Sequence, residues 1–262
     1  YNLHFHIPGD PKDQIQANAT IDFYFQKPTD YIILDFKPGK THIQNIRLNG
    51  KNTQSKIQKG HILIPSGKLD SHKQHSVQIE FIAGDQSLNR NEHYMYSLFV
   101  PDRASTAFPC FDQPDMKAAF KLELTVPAEW KAVSNGNLSV KQPKEESVRL
   151  RFEKTEPIST YLFAFTAGDY ETITREREGQ RITLYHSESD KDKLMRNTDQ
   201  IFNLQFESLQ WLEQYTNIDY PFQKYDLILI PSFQYSGMEH PGAVYYRDSK
   251  MLLDKNASIR EE

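Results

Sequence analysis

Ala17-Asn18-Ala19-Thr20-Ile21-Asp22-Phe23-Tyr24-Phe25 decides the fold class. Every second residue is apolar, which is the period of a strand with one face in a core and one in water. The alternation returns at Leu3, Phe5 and Ile7, at Phe120, Leu122, Leu124 and Val126, and at Val148, Leu150 and Phe152. Further strands are expected at Tyr31–Phe36, Ile43–Leu48, His61–Ile64 and Ser76–Ile82. Tyr161–Ala167 is almost entirely apolar, as a strand buried on both faces would be. Between these runs stand Lys37-Pro38-Gly39-Lys40, Leu48-Asn49-Gly50, Ser66-Gly67 and Ser134-Asn135-Gly136, whose residues supply the positive-φ positions of tight turns. The 14 Tyr and 16 Phe favour sheet over a helical bundle rich in Leu and Ala. The expectation is a mainly β chain with a large antiparallel β-sandwich or saddle-like domain over residues 1–170.

The pattern changes after Gly168. One strand, Ile182–His186, precedes Ser187-Glu188-Ser189-Asp190, a helix start. From there to Tyr215 the apolar residues fall at helical spacing. Leu194, Ile201, Leu204 and Trp211 form one stripe, and Met195, Phe202, Phe206 and Leu209 form a neighbouring one. Together they predict a wide face packed against something substantial. Pro221 ends the helix, and Tyr225–Ile230, closed by Pro231, reads as a central strand. Residues 171–262 are therefore expected to be an α+β second domain, and an incomplete one, because one long helix and a few strands cannot cover their own apolar faces.

Composition excludes several functions. The formal charge is −4 with both signs interspersed, which gives nucleic acid no basic surface to bind. No run approaches the roughly 20 apolar residues of a membrane span. The first residue is Tyr1, and strand-like alternation begins at once. That start suggests a trimmed leader and favours a periplasmic or cell-envelope location over the cytoplasm. Cys110 is the only cysteine, so no disulfide can form within the chain.

The chemistry concentrates in Phe233-Gln-Tyr-Ser-Gly-Met-Glu-His-Pro-Gly-Ala-Val-Tyr-Tyr-Arg247. Here Ser236, Gly237, Met238, Glu239 and His240 resemble the G-x-M-E-N hallmark of the aminopeptidase N family of zinc metallopeptidases. Gly242 and Tyr246-Arg247 continue the likeness. Phe108-Pro109-Cys110-Phe111-Asp112-Gln113-Pro114-Asp115 is similar to the family's F-P-C-F-D-E-P, and Lys117-Ala118-Ala119-Phe120 follows it. The resemblance spans the chain. It implies that residues 171–262 open a thermolysin-like catalytic domain and that the parent enzyme releases the first residue of peptides with a free amino terminus.

Such an enzyme must hold an α-ammonium, and a partly desolvated carboxylate does so through a charge-assisted hydrogen bond. Glu239 is the candidate. Gly237 and Gly242, lacking Cβ, would admit a peptide backbone as an added strand. Met238 suits the lining of a first-residue pocket of variable shape. His240, where the family has Asn, could donate a hydrogen bond with a charge that changes near neutrality. Val100 stands where the family has its second amine-binding residue, a Gln or Glu a short way before F-P-C-F-D, so that anchor is expected to be absent or supplied by another residue.

The family's zinc is held by H-E-x-x-H and a further Glu, since two His one helical turn apart share a face. No H-E-x-x-H occurs in the 262 residues, so zinc ligands are expected beyond Glu262, no metal is expected on this chain, and the chain alone is expected to be inactive. The pairs His4/His6, His72/His75 and Glu92/His93 lack a third ligand at a useful spacing. Cys110 reads as structural. Two other readings are a non-catalytic relative that keeps the fold as a scaffold and a free-standing β-sandwich binding module. The module leaves the long helix and the Glu239 segment unexplained.

Overall fold

A computed structural model describes residues 1–255 except 26, 28, 68 and 71. The chain divides into two compact units, residues 1–168 and 169–262. In the first, the strands in chain order begin with β1 (Asn2–His6), β2 (Gln16–Phe23), β3 (Tyr31–Asp35), β4 (Ile43–Leu48) and β5 (Lys51–Asn52). Next come β6 (Lys56–Gln58), β7 (His61–Pro65), β8 (His75–Ile82), β9 (Leu88–Arg90) and β10 (Tyr94–Ser97). The unit closes with β11 (Lys121–Pro127), β12 (Lys131–Ser134), β13 (Leu138–Pro143), β14 (Ser147–Phe152) and β15 (Phe165–Gly168).

Eight of these form one sheet in the order β13-β14-β11-β1-β2-β8-β4-β5. Its pairings are antiparallel except β1 with β11, which run parallel over five residues. The alternation read in the sequence becomes rows across the sheet. Leu150, Leu124, Phe5, Ala17 and Phe81 stand side by side in register, and each is buried. Phe5 also stacks on Phe165 of a four-stranded sheet, β12-β15-β10-β9, at 5.0 Å between ring centroids. Phe108, Phe120 and Phe163 extend this aromatic core. Each fully buried aromatic contributes on the order of 2–3 kcal/mol by leaving water. A third sheet, β3-β7-β6, completes the unit. The mainly β expectation stands.

Two local readings need correction. Tyr161–Ala167 is not one strand: a 3-10 turn (Thr160–Leu162) comes first, and β15 begins only at Phe165. Apolar content there reflects the aromatic core rather than continuous pairing. Asn135-Gly136 is not a positive-φ hairpin. Gly136 has an ordinary φ, and a Cβ on it would come within 2.2 Å of the Glu153 carbonyl oxygen, so close backbone approach is what requires glycine. Asn135 itself donates to the Leu162 carbonyl and accepts from the Ala164 N–H.

The second unit contains β16 (Glu171–Arg177), β17 (Gln180–His186), helix α1 (Lys191–Thr216), β18 (Tyr225–Ile230), β19 (Gly237–Met238), β20 (Ala243–Arg247) and the short helix α2 (Asp248–Met251). The sheet order is β16-β17-β18-β20-β19, so β18 is central and β19 lies at the edge. Asp190 caps α1 by accepting from the Lys193 N–H, worth about 1 kcal/mol. Leu194, Ile201, Phe202, Phe206 and Leu209 bury against Ile182, Leu184, Leu227, Leu229 and Val244. The contact is narrower than the two stripes foretold. Met195, Leu204 and Trp211 are 69, 57 and 59% exposed. Leu204 lies roughly 120° from the centre of the buried stripe, too far round to reach the sheet. Among the described residues no helix is long and apolar enough to cross a membrane.

Candidate functional site

Residues 108–113 are occupied internally. Asp35 and Cys110 exchange backbone hydrogen bonds at 2.8 and 3.1 Å. The Asp35 carboxylate meets His61 Nδ1 at 2.8 Å and accepts from the Asp112 N–H and from Gln113 Nε2. The Asp112 carboxylate accepts from the Ser105 N–H at 2.9 Å and from Thr160 Oγ1 at 2.8 Å. It thereby ties two 3-10 turns, Ala104–Thr106 and Thr160–Leu162, to this segment. Phe111 N–H donates to the Tyr1 hydroxyl. Cys110 is fully buried, and burial pushes its thiol well above the usual range, which keeps it protonated and unreactive. Val100 is half-buried and offers no polar atom on its side chain.

The segment 233–247 is arranged differently. Arg247 braces the approach to β19: its Nε donates to the Phe233 carbonyl at 2.6 Å, Nη2 to the Gln234 carbonyl at 2.9 Å, and its N–H to the Ser236 carbonyl at 3.0 Å. The last bond makes Ser236–Arg247 a hydrogen-bonded pair. In an antiparallel ladder such pairs alternate with non-bonded ones, so Gly237, opposite Tyr246, turns its N–H and C=O away from β20. They face the open edge of the sheet.

Met238 and His240 turn inward and Glu239 outward, as alternate positions of an extended segment do. Met238 is buried at 6% exposure, which makes it part of the packing beside Tyr245 rather than an open wall. Ser236 and Glu239 are exposed. The glycine at 237 has an internal cause: a Cβ there would stand 3.1 Å from two atoms of the Tyr246 ring. Gly242 is a turn glycine (φ 75°) whose N–H donates to the Tyr220 hydroxyl and whose carbonyl accepts from the Asp226 N–H.

His240 departs from expectation. Its ring is fully buried, 4.6 Å from the Tyr245 ring, and neither ring nitrogen has a hydrogen-bond partner among the described residues. Burial alone lowers its pKa to about 3, so it does not change charge near neutrality. Residues 236–240 are thus brought to one edge, but only Ser236, the Gly237 backbone and Glu239 face solvent.

Among the described residues no group of three or more His, Cys, Asp or Glu side chains is placed to hold a metal ion. The residues present do not fit a zinc site. His75 is engaged with Asn49 and the Asp70 carbonyl, and His4 with Thr125 and Glu123. The clamps made by Arg247 and Asp112 were not foreseen as such. Their signal was position: Arg247 closes the 233–247 segment, and Asp112 is the first charged residue of 108–115.

Comparison with known proteins covers both segments. Residues 1–162 match the peptidase M1 N-terminal domain, and residues 201–262 match the peptidase family M1 domain. Glutamyl aminopeptidase of Sus scrofa is 34% identical over 60% of this chain and 17% of its own length. Aminopeptidase N of Streptomyces lividans is 34% identical over 63% of the chain and 19% of its own. Probable aminopeptidase 1 of Sulfurisphaera tokodaii is 29% identical over 89% of the chain and 29% of its own. The chain therefore spans less than a third of the length of these relatives. With the clamped 108–113 segment inside one matched region and the braced edge strand inside the other, the chain belongs to peptidase family M1.

Proposed function

We propose that this chain is the substrate-holding front part of a zinc aminopeptidase and that Glu239 anchors the peptide's amino terminus. The carrying observation is the exposed carboxylate at the end of a sheet edge whose Gly237 N–H and C=O point outward. A peptide could pair with that edge through main-chain hydrogen bonds, which impose little sequence demand. Glu239 would then fix the register by accepting from the α-ammonium.

The relatives are all aminopeptidases by name, which supports the reaction class for the parent protein. The parent's zinc would be held by residues this chain does not contain, so no step through the metal is assigned here. The first-residue pocket is left to other residues, because Met238 is packed. Val100 leaves Glu239 as the principal anchor, which would make amine binding weaker than with two anchors. A periplasmic or cell-envelope setting is part of the same proposal.

The chain alone should not turn over substrate. Incubation with aminoacyl chromogenic substrates should give no chelator-sensitive release of product. Clear turnover abolished by a chelator would overturn that expectation. In a longer protein carrying H-E-x-x-H, Glu239→Gln should raise KM for peptides with a free amine. An unchanged KM would remove Glu239 from the site.

A further inference from the structure

A peptide whose amine meets Glu239 can follow the edge of β19 in one direction only. Running parallel, it would lose its partner at once, because Pro241 and Gly242 (φ 75°) turn the chain into β20. Running antiparallel, it passes Gly237 and then Ser236. At about 3.4 Å per residue its third and fourth residues run past the end of β19, where residues 234–236 bend. A depression of about 510 Å³ opens there, lined by residues 231–234 and 247–249.

Its cation is Arg247. Bonds to the carbonyls of Phe233 and Gln234 fix the guanidinium in place, yet those carbonyls carry no net charge. No described Asp or Glu oxygen lies within ion-pairing distance of it. Asp248, the acidic residue in the lining, accepts from the Ser249 N–H. Ser232 and Gln234 add neutral polar groups, and Phe233 gives an apolar floor. A planar, pre-oriented cation without a carboxylate partner suits one ligand chemistry above others.

We propose that this depression is a carboxylate subsite for the third or fourth position of a peptide held through its amine, with Arg247 as the specificity-determining residue. The carboxylate could be the C-terminus of a short peptide or an Asp or Glu side chain. The proposal rests on the reading of Glu239 as the amine anchor.

Calorimetric titration of the 262-residue chain tests it with three free-amine peptides: tetra-alanine, tetra-alanine amide, and Ala-Ala-Ala-Asp amide. Tetra-alanine should bind about five-fold more tightly than its amide, the size of one partly exposed charge pair. A gain for the Asp amide assigns the subsite to side chains as well, and its absence assigns it to the C-terminus alone. Because Arg247 also braces β19, the decisive variant is Gln234→Glu, which places a negative charge in the depression and leaves the Arg247 bonds to backbone intact. Within that variant the gap between acid and amide should close. Equal binding of tetra-alanine, its amide and the Asp amide by the unaltered chain, or a gap that survives Gln234→Glu, overturns the subsite. N-acetylated tetra-alanine separates the two readings. If it binds as well as the free amine while the gap persists, Glu239 fails as anchor and the subsite stands. No binding of any peptide at millimolar concentration overturns both.

Discussion

Two segments carry the family likeness, and the molecule uses them in opposite ways. In residues 108–113 the polar side chains bond within the unit: Asp112 joins two 3-10 turns, exposed Gln113 donates to Asp35, and the Cys110 backbone pairs with Asp35. In residues 236–240 the backbone is braced from one side by Arg247, and the other side is left open. The contrast teaches that two segments of equal family likeness can differ in how far the fold closes them. What separates the two is whether their hydrogen-bonding groups are spent. A carboxylate at Asp112 is spent, whereas the one at Glu239 is exposed.

Substitutions should separate these roles by size. His240 sets the largest effect, read through pH. Its folded pKa of about 3 lies below the ordinary 6.5, so the unfolded chain binds the extra proton between those values. Stability is therefore full above about pH 6.5 and falls as pH drops toward 3, by on the order of 4 kcal/mol in total. Denaturant melts across that window should show the slope, and His240→Phe should flatten it. Asp112→Ala comes next. It leaves the Ser105 N–H and the Thr160 hydroxyl without their acceptor and should cost about 2–3 kcal/mol in a urea melt. Gly237→Ala should cost about 1 kcal/mol, since the added methyl presses on the Tyr246 ring. Glu239→Gln should change stability by less than about 0.5 kcal/mol, because the side chain is exposed. If Glu239→Gln destabilised the chain as much as Asp112→Ala, the contrast between the two segments would collapse.

Much of the fold was legible in the sequence wherever one face of a strand is buried. Ala17, Ala19 and Ile21 are in the core, and so are Leu122, Leu124 and Val126. Strands with little buried surface left no such mark. β13 has no buried residue, and β16 has only half-buried Ile173 among exposed neighbours. Both are held by backbone pairing, which periodicity does not record. Two hairpin turns, between β6 and β7 and between β16 and β17, were also hidden. Lys59-Gly60 and Glu178-Gly179 adopt positive φ at both positions, as Asn49-Gly50 does, but a charged first residue gives a weaker signal than Asn. At the site, the family likeness pointed to residues 236–240, but it could not show that Met238 and His240 face inward. That depends on the pairing of Met238 with Tyr245, a contact set by tertiary register.

The most direct test of the central claim is the affinity of the 262-residue chain for one short peptide in two forms, with a free and with an acetylated amino terminus. The Glu239 anchor predicts that the free amine binds about ten-fold more tightly, a difference of about 1.4 kcal/mol, and that Glu239→Gln abolishes the preference. Equal affinity for both forms, or a preference that survives Glu239→Gln, would contradict it.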